Sequence, residues 1–578
     1  GPGYLGFTSH STVFEETRHS LSLLHGPDSD QIEASVASSS PQDGISFRDL
    51  PPTIRAACLY VLQHLPGQPD EQMTFTDGLD NSHEPEGWMH IAVANIVRSL
   101  QVKFGARLAE GDAHLEHMAE QICTNTARPL RDIHTDPREW LDQFCSPDTV
   151  RWESLGLLWA YLERISDALD ALQSGQHLAW VPGRRSPETT LKCLGCCVDI
   201  SRHLNEANYL LLDICRRKSV LESIIAGDAS LSCWNSHALS ISMLTYLGAH
   251  VQQDVQPYKP SLCSENKRRL FAQVFNCDKF VVSFTGRPPL ISRRYCSTPL
   301  PLDIRDEALT GGEEALMNAV NSLDARGWNT VGALYPVTLV RARFMVTVIL
   351  DELVEISLDR TRSVTIDHLR DLKARELNTI AEFPPSLVYD PENIFDPSIN
   401  IESLYAGIMI HLTHLQNLFF IERLLLRNGA PDEGNLLLTS FDMVRVTLVF
   451  WTHKDQFAQM RRNFEWLLMA HGAPGGGILC QELLRPSFHG THPRDPSLSR
   501  SAIIQQLSLL VGFLGWVRPS APNADLCADC KAIIQRVLDH HLNAPRDSEG
   551  DLFALDWGLT SPLDFNFELL DTFDWMRA

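Results

Sequence analysis

Apolar positions recur with a helical period over most of this chain, from residue 53 to residue 541, and polar or proline-rich stretches interrupt them. Alternation with a period of two, which indicates a strand, is nearly absent. The pattern predicts an all-α fold, built as one large multi-helix domain. The helices that it predicts most clearly span residues 88–108, 152–172, 191–225, 264–284, 335–358, 401–427 and 501–517.

The predicted helix that Ser264 caps has the best-marked ends. Gly286 can end this helix because glycine readily adopts the left-handed conformation of a helix C-cap. Arg287 can then meet the last carbonyls of the helix. Pro288 and Pro289 turn the chain away, since proline cannot continue a helix. We interpret this corner as structural and not as catalytic.

The composition divides the chain into three parts. Residues 1–50 are predicted to be an N-terminal segment with a partly disordered loop, residues 51–545 the helical domain, and residues 546–578 an acidic-aromatic segment. No repeat of helical units is visible, which argues against a solenoid. Gly1 and Pro2 have the form of a scar left by a cloning protease, so we expect that an N-terminal part of the natural protein is missing.

The C-terminal segment mixes acids with apolar residues: residues 547–576 hold eight acids and neither Lys nor Arg. This composition is typical of an acidic activation segment, whose aromatic side chains anchor it in a groove on a partner. Ser561 can cap a final helix that starts at Pro562. The residues that we expect to contact the partner are Phe565, Leu569, Leu570, Phe573 and Trp575. A helix packed on the protein's own core is the alternative, and the two do not exclude each other.

The net charge of −23 disfavours polyanions, so we expect no direct binding to nucleic acid or to an anionic membrane. The short basic runs at 267–269 and 461–462 are interpreted as solvated helix faces. Residues 501–517 are uncharged, but they are too few and too polar to span a bilayer, which favours a core helix. The 14 cysteines show no disulfide-type spacing, which indicates a reducing compartment, the cytosol or the nucleus.

Several groups of residues have the spacing of a chemical site, but each lacks the partners that its chemistry requires. They are the cysteines of 193–197 and 527–530 (zinc), the histidine pairs 114/117 and 411/414 (metal), the glycines of 472–477 (phosphate) and the acids of 351–355 (magnesium). We interpret the cysteines as core thiols and the histidines as surface or satisfied core residues. We interpret the glycines as a connector between helices and the acids as a solvated helix face. With no catalytic constellation evident, we predict that the chain is not an enzyme.

One segment carries a more specific pattern. A helix with a basic run and an aromatic pair leads to an aspartate, a Gly-Arg-Pro-Pro corner and a Pro-Leu-Pro turn at 299–301. This order closely resembles the middle homology region of fungal zinc-cluster transcription factors. The motif residues are Asp278, Gly286, Arg287, Pro288 and Pro289. The family usually carries acids in the loop where Arg293 and Arg294 stand here.

The resemblance extends to residues 3–14, 472–486 and 500–516, and so covers nearly the whole chain. The family's DNA-binding element holds six cysteines around two zinc ions, and the sequence has no such cluster. The resemblance therefore implies the regulatory and activation portion of a nuclear factor, with zinc expected only in the absent cluster and no cofactor in this chain. The partners that it implies are a small apolar effector, a transcriptional coactivator and a second copy of the chain in a homodimer.

Two other functions remain open. One is an all-α enzyme of isoprenoid or lipid type. The spacing of Asp351, Glu352 and Glu355 resembles the acidic helix motif by which isoprenoid cyclases hold magnesium on a diphosphate. A helical scaffold without a ligand is the third hypothesis. It differs from the first in that no small molecule would raise its melting temperature.

Overall fold

The computed structural model of the protein describes residues 3–4, 46–65, 87–105, 112–173, 186–252, 258–359, 363–396, 399–457, 464–488 and 492–543. Within these ranges the fold is all-α, as the sequence predicts, and the only bridge between extended residues joins Leu323 to Asn329. The acidic-aromatic segment 546–578 lies outside the described residues, and the division of the chain into three parts stays a prediction.

The first nine helices occupy the N-terminal half of the chain. They are α1 (Pro52–His64), α2 (Gly87–Phe104), α3 (Asp112–Ala127), α4 (Pro137–Cys145), α5 (Trp152–Gln173), α6 (Pro187–Leu204), α7 (Tyr209–Ala226), α8 (Leu231–Tyr246) and α9 (Leu262–Thr285). The helices that follow are α10 (Asp306–Thr310), α11 (Glu313–Asn321), α12 (Pro336–Leu358), α13 (Ile366–Ala381), α14 (Ile401–Arg427), α15 (Asn435–Thr452), α16 (Phe464–Leu467), α17 (Ala473–Leu484), α18 (Arg500–Trp516) and α19 (Ala524–Asn543). A π-helical turn, Leu468–Gly472, joins α16 to α17 without a break.

Two predicted helix boundaries differ from the structure. Helix α9 starts before Ser264, because Ser261 is the cap: its Oγ accepts from the Ser264 N–H, and the Ser264 Oγ accepts from the Ser261 N–H. The single helix predicted at 191–225 is wrong, since α6 and α7 are separate. Asn208 caps α7 by accepting from the Leu211 N–H at 2.8 Å, and this cap starts a new helix.

The glycine run at 472–477 is also not the connector that the sequence predicts, because it is helical. Its glycines allow close approach to neighbouring helices. A Cβ on Gly475 would lie 2.7 Å from the carbonyl oxygen of Ser440 in α15, and a Cβ on Gly476 would lie 2.8 Å from Leu510 in α18. Tertiary packing therefore outweighs the low helix propensity of glycine here.

Two large hydrophobic cores lie in the described parts of the two halves. One gathers buried residues from Phe47 to Phe344, and the other gathers buried residues from Ile394 to Leu538. Helices α12 and α14 lie between the two cores. They pack against each other through two small hydrophobic clusters, each of which contains residues of both helices. Among the described helices, α14 is the one long and apolar enough to cross a membrane, but 83% of its apolar window is buried inside the fold.

Candidate functional site

The corner predicted after α9 is present. Gly286 has the left-handed dihedral angles φ 67° and ψ 12°, and its N–H donates to the carbonyl of Val282, which closes the helix. The chain then passes through Pro288 and Pro289 and returns onto the side of α9. Its path after the corner is fixed by charged groups that lie about two turns back in the same helix.

Asp278 and Lys279 are these charged groups. The N–H of Leu290 donates to Asp278 Oδ1 at 3.3 Å, and Lys279 Nζ donates to the carbonyl of Ile291. Both side chains are fully buried. The aspartate of the motif therefore has a structural role that its position alone does not reveal: it holds the segment that leaves the corner.

Two further buried groups complete this charge cluster. His237 Nε2 of α8 lies 3.0 Å from Asp278 Oδ1, and Asp351 Oδ1 of α12 lies 2.6 Å from Lys279 Nζ. Burial disfavours ionisation of Asp278, but the hydrogen bond from His237 and the charge of Lys279 outweigh it, so its pKa lies below the ordinary value. The cluster ties α8, α9 and α12 together.

Sequence reasoning missed His237 and Lys279, and it assigned Asp351 to a solvated face. The sequence did contain one signal of this cluster, the charged pair Asp278-Lys279 inside an otherwise apolar helical stretch. Charges on a buried helix are rarely left without partners, so this pair predicts further charged groups nearby.

The acids considered for magnesium are each paired with protein groups. Asp351 belongs to the buried cluster and also accepts from the Arg293 N–H. Glu355 pairs with Arg294, and Glu352 pairs with Arg375 at 2.8 Å. The solvated helix face is therefore wrong for Asp351, which is buried. No group of acids, histidines and cysteines that could hold a metal ion is present among the described residues.

The basic run at the start of α9 is not a solvated face either. Arg268 and Arg269 are buried. The Arg268 guanidinium donates to the carbonyl of Leu300, within the Pro-Leu-Pro turn, at 3.3 Å. The Arg269 guanidinium donates to the carbonyl of Ile304, just after the turn, at 2.8 Å. Arg269 also pairs with Asp306. These arginines hold the turn against α9, because a guanidinium presents several donors in a fixed plane.

The two cysteine groups do not form one zinc site. Cys193 and Cys197 are buried in the first core, whereas Cys527 and Cys530 are buried in the second. Burial raises the pKa of Cys527 and of Cys530 to about 12, which keeps both thiols protonated and inert. The histidines also match the structural interpretation: His114 is exposed, and His414 Nδ1 lies 2.7 Å from Glu376.

A cavity of about 130 Å³ lies beside the end of α9. Phe280 and Phe284 of α9 form one side of it, and residues of α14, α15 and the α16–α17 segment form the other. The aromatic rings and methionines of its wall are Phe280, Phe284, Phe419, Phe420, Trp466, Met443 and Met469. The cavity is thus mostly apolar, and its wall is shared between the two halves of the protein.

Four polar side chains line the cavity, Ser283, Thr285, Arg287 and Gln416, and the last two are the ones that matter for its chemistry. Arg287 Nη2 donates to the carbonyl of Ala229 at 2.7 Å, and its guanidinium carbon lies 5.1 Å from the ring centre of Trp234. The sequence predicted that Arg287 meets the last carbonyls of α9. This prediction is wrong, because the side chain extends towards the start of α8. Gln416 of α14 is 6% exposed. Arg287 Nη1 and Gln416 Oε1 are buried and have no hydrogen-bond partner.

A second, more open cavity of about 240 Å³ adjoins the first, and Phe280 and Trp466 line both. Their rings pack edge to face with centres 6.0 Å apart. Arg343 lines this second cavity, and burial lowers the pKa of its guanidinium. The nearby His471, in the π-helical turn, is fully buried. Burial and the charge of Arg343 lower its pKa to about 3, so it is neutral.

The structure brings the residues of the corner motif together, and Arg287 links them to the cavity. The residues proposed for partner contact, Phe565, Leu569, Leu570, Phe573 and Trp575, lie outside the described residues. Gln416, Trp466 and Met469 were not found from the sequence, because nothing in the local pattern of a buried helix distinguishes a cavity wall from a filled core.

Comparison with known proteins identifies one family. Residues 224–342 match the family model described as the fungal specific transcription factor domain. Neither a curated protein nor a solved structure matches the chain significantly. The match covers α8, α9, the corner and the first residues of α12, and so contains the charge cluster except Asp351. The chain therefore carries, at residues 224–342, a fungal specific transcription factor domain, the middle homology region of zinc-cluster factors.

Proposed function

We propose that this chain is the regulatory and activating portion of a fungal zinc-cluster transcription factor that acts in the nucleus. The helical domain senses a small molecule, and residues 546–578 carry the signal to a transcriptional coactivator. The family match at 224–342 supports the regulatory role, since the family is one of transcription factor domains and not of enzymes. The acid and aromatic content of 547–576 supports the activating role.

One observation carries the sensing part of this proposal. The cavity beside Arg287 has one side formed by the matched domain, at Phe280 and Phe284, and the other side formed by residues 416–526. A ligand in this cavity would contact both parts at once. Ligand binding would therefore change the relative stability of two states that differ in how these parts pack, which is the requirement for a ligand-driven switch.

The output is assigned to the helix predicted to start at Pro562. In the inactive state its apolar face packs on the protein, and in the active state the same face enters a groove on the coactivator. Because one face serves both contacts, a single chain can make both in turn but not at the same time. A ligand that favours one packing of the domain thereby controls the availability of the segment.

The test uses the chain fused to a foreign DNA-binding module and a reporter gene. Truncation at Asp551 is expected to abolish reporter output, and the double substitution Phe573→Ala and Trp575→Ala is expected to reduce it at least fivefold. Thr572→Ala, in the same predicted helix, is the matched control and should keep full output. Immunoblotting must show equal protein levels. Undiminished output after the truncation would refute the proposal.

A further inference from the structure

We infer that the cavity beside Arg287 binds a compact organic anion, with an apolar body about the size of one aromatic ring and a carboxylate that pairs with Arg287. This inference rests on the proposed sensing function and names the chemical class of its ligand. It is carried by the charge of Arg287, the polarity of Gln416 and the size and lining of the cavity.

Arg287 is a cation without a carboxylate partner among the described residues. Its contacts are a carbonyl oxygen and the face of Trp234, and neither neutralises its charge. Two of the buried arginines, by contrast, pair with carboxylates: Arg269 with Asp306, and Arg151 with Glu153. A guanidinium prefers two parallel hydrogen bonds to a carboxylate, and Arg287 Nη1 is a buried donor that still has no acceptor.

Gln416 supplies the second polar contact. It lines the same cavity, is more than nine-tenths buried, and its Oε1 has no hydrogen-bond partner. Leaving a buried polar atom without a partner destabilises the folded state, so native proteins rarely keep one without a reason. An amide can donate or accept, and a ligand that carries a hydroxyl or a carboxylate oxygen at this point would satisfy it.

The lining and volume define the body of the ligand. The apolar part of the wall includes five aromatic rings and two methionines, Met443 and Met469, whose flexible side chains adapt to a ligand's shape. An apolar cavity of about 150 Å³ is known to bind benzene. The cavity here, at about 130 Å³, therefore accommodates one ring or a branched aliphatic group of the same size, and excludes long lipids and sterols.

The charge of Arg287 decides between ligand classes. A cation of the same shape would be repelled by the guanidinium in a poorly hydrated site. A neutral isostere would fill the apolar volume but leave the guanidinium charge uncompensated. The anion satisfies both the apolar wall and the charge, so its affinity should exceed that of the neutral isostere by at least tenfold.

The experiment measures binding to the purified full chain by calorimetry and by the shift in melting temperature. The probes are benzoate and phenylacetate, with benzamide as the neutral isostere and benzamidine as the cation. We expect benzoate or phenylacetate to raise the melting temperature in a concentration-dependent manner, benzamide to bind at least tenfold more weakly, and benzamidine to give no shift. Equal affinity for the acid and its amide would overturn the anionic requirement.

Variants locate the site. Arg287→Gln should weaken binding of the acids at least tenfold, while Arg287→Lys, which keeps the charge but not the planar fork, should lose less. Ala470→Phe, which fills the cavity, should abolish binding without lowering the melting temperature of the free protein. Arg370→Gln removes an exposed arginine that does not line the cavity and is the matched control, expected to bind as the wild type does.

Failure of this inference and failure of the proposed function give different results. If the truncated fusion loses reporter output but neither acid binds at millimolar concentration, the ligand class is wrong and the activating role stands. If an acid binds through Arg287 but the truncation leaves output unchanged, the site is real and the activating role is wrong. Binding that survives both Arg287→Gln and Ala470→Phe would place the ligand elsewhere and overturn the inference.

Discussion

At the scale of single residues, Lys279 is the side chain on which the corner depends. It forms ion pairs with both Asp278 and Asp351, and all three side chains are buried. Buried ion pairs contribute little net stability relative to apolar residues, but removal of one partner leaves an uncompensated charge in a medium of low dielectric constant. The effect of a substitution therefore depends on which groups remain.

We expect Lys279→Met to lower the free energy of unfolding by about 3–5 kcal/mol, because two buried carboxylates lose their cation. The double variant Lys279→Met with Asp351→Leu should lose clearly less than the sum of the single losses. Lys259→Met, which removes an exposed lysine paired with Glu313, is the control and should change stability by less than about 1 kcal/mol. Urea unfolding is measured for Lys279→Met, Asp351→Leu, their double variant and the control. A double-variant loss equal to the sum of the two single losses would contradict the argument.

His471 gives the protein a specific sensitivity to acid. Its pKa is about 3 in the folded protein and near 6.5 when unfolded, so the unfolded state binds the proton first as the pH falls. Stability is complete above pH 6.5 and is lost as the pH falls towards 3. We expect His471→Leu to flatten the dependence of unfolding free energy on pH between 7.5 and 4.5.

At the scale of elements, the α17 glycines show why packing between helices is hard to predict from sequence. A glycine run ordinarily indicates a loop, and the close approach to α15 and α18 depends on which faces meet in three dimensions. The C-terminal end of α9 and both ends of α14, by contrast, follow from local caps and the apolar period. The buried state of Arg268 and Arg269 could not be predicted, since their partners are carbonyls more than 30 residues away.

Two glycine substitutions within helices should have opposite effects. Gly475→Ala places a Cβ 2.7 Å from a main-chain carbonyl of α15, which cannot move aside, and should destabilise the protein by about 1–3 kcal/mol. Gly195→Ala, in α6, meets only the flexible end of Lys218 at 3.5 Å and should stabilise it by up to about 1 kcal/mol through helix propensity. Thermal unfolding compares them, and two shifts of the same sign would refute the packing argument.

At the scale of the whole molecule, the family-matched region is not an independent unit. Phe271 and Phe275 belong to the same core as residues of α1 and α5, and Phe280 packs against Trp466 of the second half. The sequence predicted the fold class and the corner, because both depend on local pattern. It could not predict the cavity, whose wall combines side chains from segments up to 297 residues apart, from Ala229 to Leu526.

We therefore expect a fragment of residues 224–342 to lack a cooperative thermal transition, because most of the surface that its helices bury in the full chain would be exposed to water. The full chain, under the same conditions, is the control. Circular dichroism and binding of a hydrophobic dye measure the difference. A sharp transition in the isolated fragment would show that the matched region folds without the rest.

The guanidinium contacts around the Pro-Leu-Pro turn have a consequence for how the protein tolerates mutation. Arg268, Arg269 and Arg341 bind the carbonyls of Leu300, Ile304 and Pro301, and a carbonyl is the same in every residue. Side chains in the turn can therefore be exchanged while these bonds persist, whereas loss of one arginine removes its bonds whatever the turn contains. Mutational tolerance is thus asymmetric: the segment that is held is free to vary, and the helices that hold it are not.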